Sequence, residues 1–533
     1  MSGADGQSTT CLITATDEGG FASLCGALRE RFGLDVVTFR ERLTVLDTFD
    51  WRLYRAEREL LEIRGETRML SVGRPGMEPE GVCDVRALPR WASDLPEGFV
   101  WAELGARIAE RALLPQLGVE RRGQQASLLS GEGKTIAQVV FCDTKLGRPN
   151  WQSPTGALRG RRVSMGGELR LLPVFGHDAE FDCLLRAVRE RVGTEPTPFD
   201  ALTHYGAALD LAPGQYSSKL SVALDPMAPA GHAFCQIFEA LVDTFDANEG
   251  GTRLDLDSEF LHDYRVASRR CRSLLAEFDD WLPQPESGRL ARELKWLGQL
   301  TGPVRDADVF ALLLDEWAAD PAGNRGFFSD DAWAALRTHL GREHERVRRP
   351  LLRAMNSRRY ERLKTLWMSL AEPGEQHARG NQLSIQVLAS ARIWKAFRRI
   401  RKRAAGLSAE SPSRDIHSVR IAAKRLRYLL EFFRSAYPAQ RIDPLVSALK
   451  QLQDQLGLFN DLDVQADMLR MHAQPLYERG VGDAELMVAL GQTIGALQTA
   501  QRAVRHDIAK ALRTFNDDGN RRAYRRLFRA SKK

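Results

Sequence analysis

Leu261-His-Asp-Tyr-Arg-Val-Ala-Ser-Arg-Arg-Cys-Arg-Ser-Leu-Leu-Ala-Glu-Phe278 is matched 155 residues later by Ile416-His-Ser-Val-Arg-Ile-Ala-Ala-Lys-Arg-Leu-Arg-Tyr-Leu-Leu-Glu-Phe-Phe433. The offset holds downstream without a gap. Leu294-Lys295 meets Leu449-Lys450, Gly302 meets Gly457, and Arg305-Asp-Ala-Asp-Val309 meets Asn460-Asp-Leu-Asp-Val464. Agreement at one offset over roughly 50 residues marks two copies of one unit. Apolar residues recur there at three- and four-residue spacing, and strand signals vanish after about residue 230. The repeat therefore predicts an all-α region of two helical bundles related by a pseudo-twofold axis, at about 230–375 and 385–533.

On a helix turning about 100° per residue, His262, Arg265, Arg269 and Arg272 fall within an arc of roughly 80°. Cys271, Leu274, Leu275 and Phe278 take the opposite side. The second copy repeats this with His417, Arg420, Lys424 and Arg427 in front and Leu426, Leu429, Leu430 and Phe433 behind. Arg270 and Arg425 stand beside these faces, and Lys295 and Lys450 follow on the next helix. Like charges on successive turns repel by a few tenths of a kcal/mol per pair. An anionic partner gives a reason to keep that arrangement twice; a solvated charged face is the plainer account of one copy alone. Arginine's fork and lysine's point charge both suit phosphate, and histidine donates to it in either protonation state.

Further basic residues form a second rank: Arg358 and Arg359, then Arg392, Lys395, Arg399 and Lys402 at the same spacing as the motif. Nearby glutamates make some of these salt-bridge partners. Asp306 and Asp308, like Asp461 and Asp463, form D-x-D pairs just past a glycine. Such aspartates more often cap a helix or orient an arginine than bind metal. Gly131-Glu-Gly-Lys-Thr135 resembles the end of a phosphate-binding loop, but Leu128 stands where a glycine is needed, and a strand follows. It reads as a hairpin turn. Neither H-E-x-x-H nor G-x-S-x-G occurs. The residues point to no catalytic group, no metal site and no cofactor.

The 533 residues exceed what one core supports. Residues 1–230 hold 27 Lys+Arg against 31 Asp+Glu; the remainder holds 49 against 39, so the excess of positive charge lies in the helical part. Seven scattered cysteines without a C-x-x-C pair argue against a disulfide scaffold and for a reducing, cytoplasmic setting. No run of 18 apolar residues or basic N-terminal leader appears, so neither membrane nor secretion is expected.

The first 210 residues read differently. Short β-rich runs at 43–46, 60–63, 69–72, 136–141 and 168–172 are set off by turn residues, with helices at about 101–114 and 178–192. This predicts an antiparallel sheet or barrel. Pro and Gly between 211 and 229 predict a linker. The fold expected is α+β multidomain: an antiparallel β-barrel or tunnel-like domain (1–210), a linker (211–229) and an all-α domain (230–533).

The repeated His-x-x-Arg-[Val/Ile]-x-x-x-[Arg/Lys]-Arg-x-Arg, with its Leu-Lys and Gly-x-x-[Arg/Asn]-Asp-x-Asp-Val sequel, resembles the CHAD family, the conserved histidine α-helical domain, over about 226–533. The resemblance implies two four-helix bundles whose basic faces line a groove, binding of inorganic polyphosphate, and recruitment to polyphosphate granules. It places the binding set at His262, Arg265, Arg269, Arg272 and Lys295, and at His417, Arg420, Lys424, Arg427 and Lys450.

Leu43-Thr-Val-Leu-Asp-Thr-Phe-Asp50, Leu60-Leu-Glu-Ile-Arg64 and Glu168-Leu-Arg-Leu171 resemble the CYTH, or triphosphate tunnel, superfamily. That family opens on Glu-x-Glu-x-Lys; the start here is Thr9-Thr-Cys-Leu-Ile-Thr-Ala15, with Arg170 where a second late glutamate stands. A metal-holding tunnel needs several inward carboxylates. The first domain is therefore expected to be degenerate and non-catalytic, with Arg64, Arg68, Arg161 and Arg162 left as weaker phosphate contacts. Polyphosphate binding is the leading expectation, with other polyanions as further partners. The competing functions are a metal-dependent triphosphatase or polyphosphatase, and nucleic-acid binding, for which Tyr264 and Tyr428 are the nearby aromatics.

Overall fold

The computed structural model describes residues 11–14, 18–30, 33–77, 79–151, 158–193, 195, 197–320, 323–372, 383–408, 410–478 and 484–529. They form two compact units, Met1–Ser217 and Ser218–Lys533. The architecture is α+β: an antiparallel sheet followed by an all-helical region.

In the first unit nine strands are ordered β5-β4-β3-β2-β6-β7-β8-β1-β9, every neighbouring pair antiparallel. They are β1 (Cys11–Thr14), β2 (Gly33–Asp47), β3 (Glu59–Arg64), β4 (Arg68–Gly73), β5 (Pro79–Asp84), β6 (Leu114–Leu129), β7 (Thr135–Pro149), β8 (Leu158–Pro173) and β9 (Thr197–Pro198). No ladder joins β5 to β9 among the described residues. Side chains alternate across the sheet. One face packs Leu46, Leu60, Leu70 and Val72 on α2 (Phe99–Ile108), and Phe141, Leu169 and Leu171 on α1 (Glu18–Arg29) and α3 (Asp178–Val192). The other face packs Leu43, Val45, Leu117 and Val119 on α4 (Ala201–Gly206). Gly123 is required where β6 meets β7, because a Cβ there would strike the Phe141 carbonyl.

The helix expected at 101–114 stops at Ile108, and Leu114 already opens β6. The stretch Ala109-Glu-Arg-Ala-Leu-Leu114 suits either state, and pairing to β2 along fifteen residues decides it. The Gly131–Lys134 stretch is the β6–β7 turn, closed by Ser130 N–H to the Lys134 carbonyl at 2.8 Å, with Gly133 at φ 78°.

The second unit has ten helices among the described residues: α5 (Ala230–Leu254), α6 (Ser258–Phe278), α7 (Gln284–Ala318), α8 (Asp330–Met355), α9 (Arg358–Ala371), α10 (Ile385–Ala404), α11 (Ser413–Phe432), α12 (Ala439–Glu478), α13 (Ala484–Phe515) and α14 (Asp518–Phe528). The first residues of α10, α11 and α12 lie 155 positions after those of α5, α6 and α7, so the sequence repeat is a structural one with five helices per half. None of these helices is long and apolar enough to cross a membrane.

One core runs through both halves, joining Phe238, Phe245, Leu274 and Phe278 with Ile393, Phe397, Leu429 and Phe433. At about 1.5 Å per residue, α7 and α12 outrun it. Their C-terminal ends build a second core with α8 and α13, around Phe310, Leu314, Trp333, Leu469 and Leu490. Asp257 caps α6 by accepting from Glu259 and Phe260 N–H, and Gly251 lets α5 close onto Phe260, whose ring would strike any Cβ there. Residues 218–229 pack on this unit: Leu224 is buried in the main core, and Ser435 Oγ donates to the Val222 carbonyl at 2.6 Å.

Candidate functional site

The motif helices α6 and α11 meet back to back. Cys271, Leu274, Leu275 and Phe278 are buried, as are Leu426, Leu429, Leu430 and Phe433, and the Phe278 and Phe433 rings lie 6.5 Å apart. Two motif arginines are used to join the copies. Arg270 reaches Glu431 at 2.9 Å and the Ser218 carbonyl at 3.0 Å; Arg425, its counterpart, reaches Glu277 at 2.5 Å. These donors lock helices together, a role that the motif's spacing alone does not reveal.

Four of the remaining motif cations, Arg269 of α6 with Arg420, Lys424 and Arg427 of α11, lie within electrostatic reach of one another. Arg269 is exposed and lies over the Tyr428 ring of the other copy at 5.9 Å. Burial pushes the Lys424 ammonium down to about 8, and the charges of Arg269, Arg420 and Arg427 push the same way against a pull from Asp461. Burial likewise lowers Arg420, with Arg269 acting in the same sense. Arg269 of α6 thus shares one electrostatic neighbourhood with Arg420 and Lys424 of α11. Lys424 makes no ion pair with any described residue, whereas Arg427 is held by Glu431 at 2.6 Å. Arg272, Lys295, His417 and Lys450 are exposed.

Arg265 and His262 are half-buried. Arg265 donates to the Gly298 carbonyl at 3.2 Å and the Thr301 hydroxyl at 2.7 Å. Ligand atoms of His262, Glu259 and Asp263 lie within 4.8 Å of one another, as do those of Asp255, His344 and Glu345. Glu259 pairs with Arg305 at 3.3 Å, Asp255 with Arg348 at 3.4 Å, and His344 with Asp308 at 2.8 Å. Those pairings make both trios parts of ion-pair networks, and Asp308 orients a histidine.

Of the second rank, Arg359 is held by Glu293 at 2.6 Å and stacked over Trp296 at 4.0 Å, and Arg392 is held by Asp280 at 3.2 Å. Arg358, Lys395, Arg399 and Lys402 are exposed.

In the first unit Glu168, 0% exposed, accepts from Thr144 at 2.5 Å and from Tyr205 of α4 at 2.7 Å. Arg170 donates to the same Tyr205 hydroxyl and lies over the Phe199 ring at 4.5 Å. Asp47 accepts from three backbone N–H groups, of Thr48, Leu53 and Tyr54, and burial still pushes its carboxyl up to about 6. Arg68 is paired with buried Glu62 at 2.8 Å and Arg162 with Glu120 at 3.1 Å; Arg64 is exposed, and the Arg161 side chain lies outside the described residues. Sequence reasoning missed Tyr205, Glu277 and Glu431, the partners that put these charges to structural use. The two glutamates could have been noticed as acids on the last turn of helices whose middle turns are cationic.

The comparisons with known proteins fall on the helical unit first. Residues 236–470 match the family model described as CHAD domain. An uncharacterised protein of Mycobacterium tuberculosis, found in two strains, is 31% identical over 224 residues, which is 40% of this chain and 40% of that protein. The chain thus spans well under half the length of the curated relatives it matches. The CHAD domain of the plant Ricinus communis is 28% identical, covering 56% of this chain and 96% of its own, with a TM-score of 0.46. A Bacillus halodurans structure provisionally named as an adenylate cyclase is 12% identical, covering 37% of this chain and 97% of its own, with a TM-score of 0.24. Scores below 0.5 bear no weight on the geometry above. The sequence motifs and the family match together identify residues 236–470 as a CHAD domain.

Proposed function

We propose that the helical unit binds inorganic polyphosphate on the cationic faces of α6 and α11, and that this binding recruits the chain to polyphosphate granules. The observation that carries the reading is the shared neighbourhood of Arg269, Arg420 and Lys424, cations drawn from both copies. Bringing like charges together around the half-buried Arg420 and Lys424 is unfavourable in the free protein. A polyanion relieves that repulsion, and a long chain contacts successive cations with each bound phosphate raising the effective concentration of the next.

Nucleic acid fits less well. Stacking needs exposed rings beside the cations. Tyr264 is fully buried and Tyr428 is 9% exposed, so neither offers a face to a base. Phosphate hydrolysis in the first unit also has weaker support, because Glu168 Oε2 is already engaged by Thr144 and Tyr205 and Arg170, not a second carboxylate, stands beside it.

The test is binding of the full chain to long-chain polyphosphate, double-stranded DNA and triphosphate across a salt series. The reading expects tight, salt-sensitive binding that grows with polyphosphate length and is lost when Arg269, Arg420 and Lys424 are all changed to Ala. Equal affinity for DNA, or an unaffected triple variant, overturns it.

A further inference from the structure

The two copies of the motif carry matching cations in unlike surroundings. In the first copy His262 stands with the carboxylates of Glu259 and Asp263, all three within 4.8 Å. Arg265 commits donors to the Gly298 carbonyl and the Thr301 hydroxyl. Its guanidinium also lies close over Gly302, 3.6 Å from where a Cβ would stand.

Three of these partner side chains have no counterpart in the second copy. At the 155-residue offset, Arg414 replaces Glu259, Ser418 replaces Asp263, and Leu456 replaces Thr301. A leucine accepts nothing, and the buried Arg420 Nε has no hydrogen-bond partner among the described residues. Nothing lies within 4 Å of a Cβ built at Gly457, so Arg420 does not fold down onto α12 as Arg265 does onto α7. Gln453 takes the place of Gly298, and both its amide atoms are buried without a partner.

Resting on the polyphosphate reading, we propose that the copies are not equivalent: the second copy, with Arg269 reaching in from the first, forms the phosphate-gripping subsite, while His262 and Arg265 of the first serve the fold. A buried donor without an acceptor is costly, and phosphate oxygens beside Arg420 remove that cost. Two carboxylates beside His262 repel the same phosphate. The repeat therefore preserves residue type on both faces, yet of the matched pair Arg265 and Arg420 only Arg420 keeps its donors unspent for a ligand.

The experiment compares matched positions in the full chain, reading long-chain polyphosphate affinity and melting temperature. Arg420→Gln is expected to weaken binding about tenfold, the scale of one lost charge-assisted contact. Arg265→Gln is expected to leave affinity within about twofold and to lower the melting temperature, because its contacts are internal. A second variant installs the first copy's acids at accessible positions of the second: Arg414→Glu with Ser418→Asp. Arg414 is 85% exposed, so the fold tolerates the change. Binding is expected to fall about tenfold with the melting temperature unchanged. Equal losses at Arg265 and Arg420, or full binding by the acid-bearing variant, overturn the inference and leave polyphosphate binding standing. Failure of the unaltered chain to bind polyphosphate overturns both.

Discussion

Arg425 of α11 holds the Glu277 carboxylate of α6 at 2.5 Å, and that carboxylate is 2% exposed. The reciprocal pair, Arg270 with Glu431, crosses the same helix contact at 2.9 Å. The two copies are therefore bound by ion pairs as well as by the Phe278–Phe433 contact. Arg425→Ala leaves a buried carboxylate unpaired, and the cost expected is about 2–3 kcal/mol. Arg425→Met with Glu277→Gln removes the charge together with its partner and recovers more than half of that loss. Denaturation followed by helical circular dichroism reads both; equal destabilisation by the single and double variants contradicts the argument.

Lys424 gives the polyphosphate reading a pH signature. Its ammonium is pushed down to about 8 by burial and by Arg269, Arg420 and Arg427. A bound phosphate favours the charged form and raises that value, so binding takes up a proton above about pH 7.5. Affinity is then full below pH 7 and falls as pH climbs through 8, by roughly tenfold between pH 7 and pH 9.5. Calorimetry in buffers of different ionisation enthalpy measures the proton uptake. Lys424→Arg, which stays charged, is expected to flatten the profile and abolish the uptake; a slope unchanged in this variant assigns the titration elsewhere.

The repeat, the apolar backs and the cationic fronts of the motif helices were legible because helical periodicity and a fixed offset record them directly. Which cations remain free was not. Arg270, Arg359 and Arg392 look like their neighbours in sequence, yet each is held by an acid that is 66 to 161 residues away. Tertiary pairing at that separation leaves no local trace. The first unit shows the same limit. Glu168 and Arg170 are recognisable on an alternating strand, but the α4 residue that engages them, Tyr205, lies in a six-residue helix with no periodic signal.

Tyr205 tests whether Glu168 is structural. Its hydroxyl is one of two that the fully buried carboxylate accepts from. Tyr205→Phe keeps the ring in the core beneath α4 and removes that donor, with a loss of about 1–2 kcal/mol in the first unit. Thr144→Val is expected to cost a similar amount. Melting monitored by tryptophan fluorescence checks both, and a neutral result for both shows that the carboxylate is not held by these hydroxyls.

Glu59 supplies a second pH trend in the same direction, read in stability and confined to the first unit. Burial and the Asp200 carboxylate push its carboxyl up to about 7, with Arg121 pulling back. The folded protein thus keeps Glu59 protonated at a pH where the unfolded chain has already ionised it. Its contribution is complete below about pH 4.5 and is lost as pH rises through 7. Glutamine mimics the neutral acid at every pH. Glu59→Gln is therefore expected to stabilise the first unit at pH 8 by about 1–2 kcal/mol, less than the roughly 3 kcal/mol of the full shift because the side chain keeps some contact with water. At pH 4.5 the variant and the parent are expected to melt together. Stabilisation of equal size at both pH values would trace the gain to packing and not to the proton, and a loss at pH 8 would show that Arg121 needs the charge more than burial opposes it.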